Sequence, residues 1–594
     1  MYGGNIKPDV SLFLPVNDDT ATRRSLWRWW NQLSRLQRSI IYVLLLITVI
    51  YLVVSERFND SRQSSSEAHV EEISKNGIDD LLKTNTHLEN YKELYPDENV
   101  VGEESNKIPR DTNIAENNLQ QQQQIDQPDS HVGMQFSGPG NPRQQAVVEA
   151  FQHAWAGYKK FAWGHDHLRP LTGGYHDWFS LGLTLIDGLD TAYIMGLTAE
   201  YKEAKEWVAT KLSFDVNKDV NLFEVTIRVL GALLSNYHLS GDEMFLEKAI
   251  DLGERLLPAF ETPSGIPYSD VNLATRQAHS PKWSPDSSTS EVTTIQLEFR
   301  DLSRSSNDPR FEKAAAKVSE HVHSLGKTHG LVPIFISPNS GQFLTYSTIT
   351  LGARGDSYYE YLLKQWLQTG KTIDYLRDDY ILAIEGVQEL LVRKTVPNNY
   401  VFLGELISSG KTQKELKPKM DHLTCYLPGT LALGVKNGMP DWHLKLAEDL
   451  MFTCYKTYAI HPTFLAPEIT YFNLQNEVAT DMYVKSNDAH NLLRPEYLES
   501  LWYLYQLTGN TTYQTWGWQI FQAFEKYTRV QNGYTSIGSV KSIENTRPRD
   551  MMESFFLGET LKYCYLLFGD DKFTLDLNKF VINSEAHPLP IRTT

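Results

Sequence analysis

Acidic residues open several strongly apolar helical segments of this 594-residue chain. They stand at seven places: Asp187, Glu224, Glu291, Asp356, Asp421, Glu496 and Glu553. A single acid in such a place usually caps a helix or interacts with its dipole. Several acids in one aromatic cavity would instead repel one another and lose solvent, which spreads their pKa values into acids and bases at neutral pH. Hydrolysis of a sugar acetal needs such a pair, one carboxyl group to protonate the leaving oxygen and one to activate water.

The elements that would carry these acids repeat along the chain. Each acid opens an apolar, aromatic helical segment such as 497–507, and a more amphipathic helical segment such as 308–322 follows. Seven such pairs are typical of an open solenoid or of a closed ring. We favour the ring because the first helix of each pair is apolar on all sides and would be buried on both. The fold class predicted is therefore all-α, an (α/α)7 barrel of inner and outer helices. In this ring the seven acids would lie at the same end and converge on one axis in the cavity.

Two features at the edges of the repeats refine this fold. Asn141-Pro142 is a helix start signal, and the amphipathic helix after it would complete the outer ring. Strand-like segments on both sides of 338–341 predict a small β-hairpin that closes one end of the barrel. This hairpin leads into the Gly-Ala-Arg-Gly turn at 352–355, which would deliver Arg354 and Asp356 to the mouth of an apolar helix.

The N-terminal quarter of the chain has a different character. Residues 39–54 are uncharged and mostly apolar, and we interpret them as a single transmembrane signal anchor. Six basic and three acidic residues precede this segment, so the positive-inside rule leaves 1–38 in the cytosol and sends the rest into the lumen. Residues 55–140 are polar and include five consecutive glutamines, at 120–124, which predicts a disordered luminal stem. The folded domain would then span 141–594.

Cysteine content and charge agree with a luminal domain that does not bind nucleic acid. Among the three cysteines, Cys425 and Cys454 are spaced so that the two helices of one repeat could be bridged by a disulfide. Asn510 begins a glycosylation sequon in an inter-helix turn. The formal net charge of −17 gives no support to nucleic-acid binding, which requires a basic face.

Several sequence blocks resemble one enzyme family. They are LFEVTIRVLG at 222–231, GARGDSYYEYLLKQW at 352–366, DHLTCYLPGTLALG at 421–434, NLLRPEYLESLWYLY at 491–505, ESFFLGETLKY at 553–563 and NSEAHPLP at 583–590. On these blocks the chain, from about residue 142 to Pro590, resembles the class I α-1,2-mannosidases of glycoside hydrolase family 47. The resemblance implies a barrel of seven inner and seven outer helices and an inverting reaction.

The resemblance also implies roles for particular residues. Glu224 matches the family's general acid, Glu496 its proposed general base, and Asp356 a third catalytic carboxylate. The remaining matches are substrate-binding positions of the pocket: Arg354, His422, Arg494, Glu499, Phe555, Glu559 and Glu585. Which of Asp356 and Glu496 is the base stays open at this point.

The family binds one calcium ion through the carbonyl and hydroxyl oxygens of a threonine, where this chain has Ser584. Serine has the same two oxygens, so the resemblance still implies an all-oxygen calcium site. The affinity of that site for calcium is the property that the change from threonine to serine would alter. The implied partners are high-mannose N-glycans, with residence in the endoplasmic reticulum membrane or the early Golgi, and the oligomeric state is left open.

Arg354 implies removal of one mannose from a nine-mannose glycan, as in the family's endoplasmic reticulum type. The alternatives are broader trimming of the Golgi type and a lectin-like factor in glycoprotein degradation. A third alternative, from another class, is a membrane-tethered scaffold whose acids only cap helices.

Overall fold

The computed structural model describes residues 133–408, 414–475, 478–570 and 574–592. The predicted cytosolic tail, membrane span and most of the stem lie outside these residues. Within the described ranges, no helix combines the length and the apolar character needed to cross a bilayer. The described chain begins at Gly133, and the backbone N–H of Met134 donates to the carbonyl of Leu239 on the barrel at 2.7 Å.

Helices form most of the described chain. In chain order they are α1 (Pro142–Phe161), α2 (Leu183–Asp187), α3 (Leu189–Ile194), α4 (Thr198–Thr210), α5 (Leu222–Val225), α6 (Gly231–Ser240), α7 (Glu243–Leu256), α8 (Thr289–Thr293), α9 (Gln296–Ser306), α10 (Pro309–Ser324), α11 (Asp356–Gln368), α12 (Asp374–Gly386), α13 (Leu427–Lys436), α14 (Trp442–Ala459), α15 (Glu496–Thr508), α16 (Thr512–Tyr527) and α17 (Leu561–Leu567). Turns of π-helix extend α5, α12 and α17, at Thr226–Leu230, Val387–Leu391 and Phe556–Thr560, and 3-10 turns lie at Leu257–Phe260 and His422–Tyr426.

The helices form two concentric rings. Among the described elements, α3, α6, α9, α11, α13, α15 and α17 pack side by side in this order, and the π turn before α17 packs against α3 to close the ring. Each inner helix packs against one outer helix, which is α4, α7, α10, α12, α14, α16 and α1 in turn. This arrangement confirms the predicted barrel of seven inner and seven outer helices, completed by α1.

The sequence of each layer explains its position. In the inner helix α11, every residue from Ser357 to Gln368 is buried. In the outer helix α7, the buried residues recur at helical spacing, at Phe245, Ala249, Leu252 and Leu256 among others, so one stripe faces the inner ring. Helix α1 begins as predicted, because the Asn141 side chain accepts the backbone N–H of Gln144 at 3.0 Å and Pro142 occupies the first turn.

Short strands occupy the connections between helices. They are β1 (His167–Arg169), β2 (Gly174–His176), β3 (Asp219–Asn221), β4 (Asp270–Asn272), β5 (Ala278–His279), β6 (Ser287–Ser288), β7 (Phe335–Ile336), β8 (Val392–Lys394), β9 (Val401–Leu403), β10 (Glu405–Ser408), β11 (Lys414–Lys417), β12 (Lys419–Asp421), β13 (Ile469–Phe472), β14 (Met482–Tyr483), β15 (Arg529–Val530), β16 (Gly533–Tyr534), β17 (Phe580–Ile582) and β18 (Pro588–Pro590). Their pairings are antiparallel and join two or three strands into each small sheet.

The hairpins of the structure differ in part from the predicted one. The turn at 338–341 forms, since the backbone N–H of Leu344 donates to the carbonyl of Phe335 at 2.9 Å. Strand β7, however, pairs with β6 and not with a long strand after the turn. A second hairpin, β17–β18, packs against inner helices α6, α9 and α11 inside the barrel. The sequence motif at 583–590 predicts site residues but not this hairpin, whose turn is 583–587.

The predicted disulfide is present. Cys425 and Cys454 are joined with a Cα–Cα distance of 6.1 Å. The bond links the 3-10 turn before the inner helix α13 to the outer helix α14 of the same repeat. Cys564 is a free, buried cysteine in α17. Asn510 is exposed in the turn between α15 and α16, where its side-chain oxygen accepts the backbone N–H of Thr512 at 3.0 Å.

Candidate active site

A cavity of about 310 Å³ lies inside the inner ring. Its lining consists of acids, three arginines, aromatic rings and a few small groups: Phe223, Glu224, Ile227, Arg228, Ser290, Glu291, Ala353, Arg354, Asp356, Ser357, Glu360, Leu423, Tyr426, Arg494, Glu496, Glu499, Phe555, Glu559, Ser584 and Glu585. The structure therefore brings together every site residue predicted from the sequence except His422. That residue lies directly behind Glu496.

The first turns of three inner segments position the three predicted catalytic carboxylates. Glu224 lies in the first turn of α5, Asp356 begins α11, and Glu496 begins α15. The Asn221 side chain caps α5 by accepting the backbone N–H of Glu224 at 2.9 Å. Because these helix starts converge in the barrel, carboxylates far apart in the sequence share one cavity.

The Gly-Ala-Arg-Gly turn holds Arg354 in a left-handed backbone conformation, with φ of 73°. Glycine is required on both sides of it. A Cβ on Gly352 would lie 2.4 Å from a carboxylate oxygen of Asp421, and one on Gly355 would lie 2.3 Å from the carbonyl of Thr350. The turn delivers Arg354 and Asp356 to the cavity, as predicted.

The idea that all seven helix-opening acids converge on one axis is wrong. Glu224, Glu291, Asp356 and Glu496 line the cavity, whereas the other three do not. Asp187 ends α2 instead of opening a helix, because the first inner segment is broken at Gly188. Asp421 accepts the backbone N–H of Ala353 at 3.2 Å, and Glu553 lies 3.5 Å from His167. These three acids contact residues around the cavity but do not line it themselves.

A deeper layer of acids was missed in part by the sequence reasoning. Glu360 lies one helical turn below Asp356, and Lys364 lies one turn below Glu360. The Lys364 ammonium, fully buried, is 2.5 Å from Glu360 and 3.4 Å from Glu499. Burial raises the pKa of Glu499 to about 8. Helical spacing from the opening acid could have identified Glu360 and Lys364.

Arg228, one of the three arginines that line the cavity, was also missed by the sequence reasoning. Its guanidinium is 2.9 Å from Glu224 and 3.7 Å from Asp187, and it contacts Glu585 directly. Arg228 lies within the π turn after α5, four residues beyond Glu224. The i, i+4 spacing of Glu224 and Arg228 in the FEVTIR block could have identified Arg228 from the sequence.

Glu496 and Asp356 have opposite electrostatic environments. Burial alone would raise the pKa of Glu496, but the His422 ring at 2.8 Å and the nearby Arg494 lower it below its usual range. Burial raises the pKa of Asp356 to about 7, and the carboxylate of Glu360 adds to the rise. At neutral pH Glu496 is therefore ionised and Asp356 is partly protonated.

His422 contacts Glu496 from outside the cavity. Its other ring nitrogen is 2.7 Å from the hydroxyl of Tyr458, so both nitrogens have partners and the ring is fixed. Arg494 is fixed as well, since its Nε donates to both carboxylate oxygens of Glu468, at 2.9 and 2.8 Å. Glu496 is thus oriented by groups that are themselves held in place.

Phe555 supplies an aromatic wall between the arginines. The guanidinium carbons of Arg228 and Arg494 each lie 5.7 Å from the centre of its ring. Arg354 lies over two other rings, 4.5 Å from Trp283 and 5.4 Å from Phe335. Within the described residues, Arg354 forms no ion pair with Asp356.

The turn at 583–587 presents Ser584 to the cavity. Asn583 holds the turn, since its side-chain oxygen accepts the backbone N–H groups of Glu585 and His587 at 2.9 and 2.8 Å. The backbone N–H of Ser584 donates to the Tyr361 hydroxyl at 3.2 Å. In the described part of the chain, neither oxygen of Ser584 has a protein partner. Two free oxygens beside Glu499, Glu559 and Glu585 suit a hard divalent cation.

The charge of the cavity lining also favours the binding of a cation. Eight acids and three arginines line it. Burial and the carboxylate of Glu585 raise the pKa of Glu559 well above its usual range. Clusters of three or more His, Cys, Asp or Glu side chains that could hold a metal directly are absent from the described residues.

The chain is similar to known proteins along most of its length. It matches glycosyl hydrolase family 47 over residues 150–591. It is 47% identical to the endoplasmic reticulum mannosyl-oligosaccharide 1,2-alpha-mannosidase of Rattus norvegicus, over 97% of this chain and 95% of that protein. The Homo sapiens protein of the same name is 56% identical, over 76% of this chain and 64% of that protein. The solved alpha-1,2-mannosidase from Trichoderma reesei superposes with a TM-score of 0.71 at 28% identity, covering 77% of this chain and all of that one.

Proposed function

The chain belongs to glycosyl hydrolase family 47, and we propose that it removes terminal α-1,2-linked mannose from high-mannose N-glycans by inverting hydrolysis. The observation that carries this proposal is the cavity in which Glu224, Asp356 and Glu496 converge beside Phe555. The family identity and the relatives' names support the glycosidase class and the mannose linkage. The structure adds an electrostatic difference between two of the three carboxylates, an ionised Glu496 and a partly protonated Asp356.

We assign the roles of the three carboxylates as follows. Glu496 is the general base, because His422 and Arg494 keep it ionised and fixed in orientation, so that it can accept a proton from an attacking water molecule. Glu224 is the general acid, by resemblance to the family. Asp356, partly protonated near pH 7, reduces the repulsion that a third full negative charge would create. Phe555 would stack on the apolar face of the sugar ring.

We further propose that Ser584 holds a calcium ion through its carbonyl and hydroxyl oxygens. When bound, the ion would supply positive charge that orients sugar hydroxyls and neutralises the acidic floor. Glu499, Glu559 and Glu585 would hold the surrounding water molecules. Asn583 and Tyr361 would keep the Ser584 oxygens aimed into the cavity.

The cellular setting is also a proposal. The relatives' names and the apolar segment at 39–54 support a single-pass membrane protein of the endoplasmic reticulum with a luminal barrel. The disulfide and the exposed Asn510 suit that compartment, and we propose Asn510 as a glycosylation site.

Product analysis tests the proposed function. The full chain is incubated with the nine-mannose glycan and calcium, and the products are identified by isomer. We expect release of a single mannose and accumulation of one eight-mannose isomer, with loss of activity on chelation. Rapid conversion to smaller glycans would indicate the Golgi type of activity. Absence of mannose release from any glycan would overturn the assignment.

A further inference from the structure

Glu298 is a buried carboxyl group next to the site that has no role in the proposed reaction. It belongs to the inner helix α9, its side chain is fully buried, and it is not part of the cavity lining. A buried carboxyl group lowers stability unless its oxygens are hydrogen-bonded. The partners of Glu298 therefore indicate what this residue does.

One oxygen of Glu298 accepts two hydrogen bonds. The hydroxyl of Tyr361 donates to Oε1 at 2.7 Å, and the side-chain Nδ2 of Asn583 donates to the same oxygen at 2.8 Å. Oε2 has no hydrogen-bond partner among the described residues. Tyr361 lies on the inner helix α11 and Asn583 lies in the turn of the β17–β18 hairpin. A single oxygen atom thus joins α9, α11 and the hairpin turn.

Tyr361 connects Glu298 to the backbone of Ser584. Its hydroxyl accepts the backbone N–H of Ser584 at 3.2 Å. A hydroxyl group has one proton, and donation of that proton to Glu298 leaves the lone pairs of the oxygen for Ser584. The acceptor on Glu298 therefore fixes the hydroxyl in the orientation that holds the peptide before Ser584.

Asn583 orients the carbonyl of Ser584. Its Oδ1 accepts the backbone N–H of Glu585 at 2.9 Å. This N–H belongs to the same planar peptide as the Ser584 carbonyl and points in the opposite direction, so the bond fixes the direction of the carbonyl. The donation from Nδ2 to Glu298 keeps the amide oxygen on the side of the turn. A Cβ on Gly231 would lie 2.6 Å from this Nδ2, so the amide has little space to move.

We propose that Glu298 is a positioning residue for calcium, which acts through Tyr361 and Asn583 to fix the two peptides on either side of Ser584 before the ion binds. This inference rests on the calcium site of the proposed function and assigns a role to a residue outside the cavity. Oxygens that are already oriented bind more tightly, because fewer groups have to be ordered when the ion arrives.

Calorimetric titration of calcium tests this role in the full chain after removal of bound metal with a chelator. The variants are Glu298→Met, which removes the acceptor oxygen, and Tyr361→Phe, which removes only a hydroxyl. We expect the calcium Kd to rise by about 10- to 100-fold in both, as is typical when a group behind a metal ligand is lost. Glu298→Gln keeps an acceptor oxygen and should retain more of the affinity than Glu298→Met. The measurement needs no glycan and is independent of activity.

Tyr359→Phe is the matched control. Tyr359 is also a fully buried tyrosine of α11, but its hydroxyl accepts the backbone N–H of Val332 at 3.1 Å and not that of Ser584. Its variant should bind calcium like the wild type.

Three results would overturn the positioning role. One is a calcium Kd in Glu298→Met and Tyr361→Phe equal to that of Tyr359→Phe, whether unchanged or raised, since a general effect on packing then explains the data. Another is an equal loss in Glu298→Gln and Glu298→Met, which contradicts a role as acceptor. The third is a wild-type chain that binds no calcium, which removes the Ser584 site as well. A wild-type chain that binds calcium but releases no mannose would overturn only the proposed hydrolysis and leave the role of Glu298 standing.

Discussion

At the scale of single residues, the proton donor is the assignment that most needs a direct test. Glu224→Gln keeps the size of the side chain but removes the proton, so the rate on the nine-mannose glycan should fall by about 100-fold or more. The same variant should retain much more of its activity on α-mannosyl fluoride, whose leaving group needs no protonation. The measurement is the ratio of kcat values, variant to wild type, on the two substrates.

Asp356→Asn is the comparison for this prediction. Burial raises the pKa of Asp356 to about 7, so this residue carries a proton for part of the time at neutral pH. If Asp356→Asn, and not Glu224→Gln, is the variant rescued by the fluoride, Asp356 is the general acid.

Arg354 governs specificity in a second prediction at this scale. Its guanidinium lies over Trp283 and Phe335 and makes no ion pair with Asp356 in the described residues, which leaves its donors available to sugar hydroxyls. Arg354→Leu should therefore let trimming continue to smaller glycans while the first cleavage slows. The products are followed by chromatography over time.

Arg354→Lys is the matched control, since it keeps the charge but not the planar fork, and it should give an intermediate product range. If Arg354→Leu still stops after one mannose, or loses activity without a wider product range, the residue is structural.

At the scale of elements, the sequence predicted the two rings of helices but not the π turns that bring further residues into the cavity. Apolar inner helices and amphipathic outer helices differ in periodicity, so their order could be derived from the chain. The π turns at Thr226–Leu230 and Phe556–Thr560 could not, because one additional residue in a helical turn leaves no mark in hydrophobic periodicity. These turns carry Arg228 and Glu559 into the site.

The hairpin β17–β18 shows a similar limit. Its strands are three residues each, too short for an alternating pattern, and its position inside the barrel depends on contacts with α6, α9 and α11. Asn583 satisfies the backbone of the turn through its side chain, which a sequence motif alone does not reveal. The residues of the site were thus predictable by resemblance, whereas the hydrogen bonds that orient them required the structure.

Calcium binding tests the proposed role of the turn in this hairpin, which contains Ser584. Ser584→Ala removes the hydroxyl oxygen but leaves the carbonyl, so calcium affinity should fall and excess calcium should partly restore activity by mass action. Independently of activity, the thermal stabilisation of the protein by calcium should require higher calcium concentrations in the variant. Ser584→Thr, which restores the family's residue, is the control and should bind at least as tightly as the wild type. Full activity of the wild type in a strong chelator would exclude the assignment.

At the scale of the whole molecule, a disulfide cross-links the inner and the outer ring. The disulfide between Cys425 and Cys454 closes a loop with a sequence separation of 29. On the loop-closure model, a link of this length stabilises a fold by about 3 to 4 kcal/mol. Cys425 lies within the 3-10 turn that also contains His422, so the bond anchors the residue that orients Glu496 to the outer helix α14.

The double variant Cys425→Ala, Cys454→Ala should therefore unfold at a lower temperature and lose activity on heating sooner than the wild type. Cys564→Ala is the matched control, because it also removes a buried sulfur and leaves the disulfide intact. The control variant should show the smaller loss. Reduction of the wild-type protein should reproduce the effect of the double variant, which separates the covalent link from the cavities that the alanines create. If the double variant and Cys564→Ala lose equal stability and reduction has no effect, the two rings are held together by packing alone.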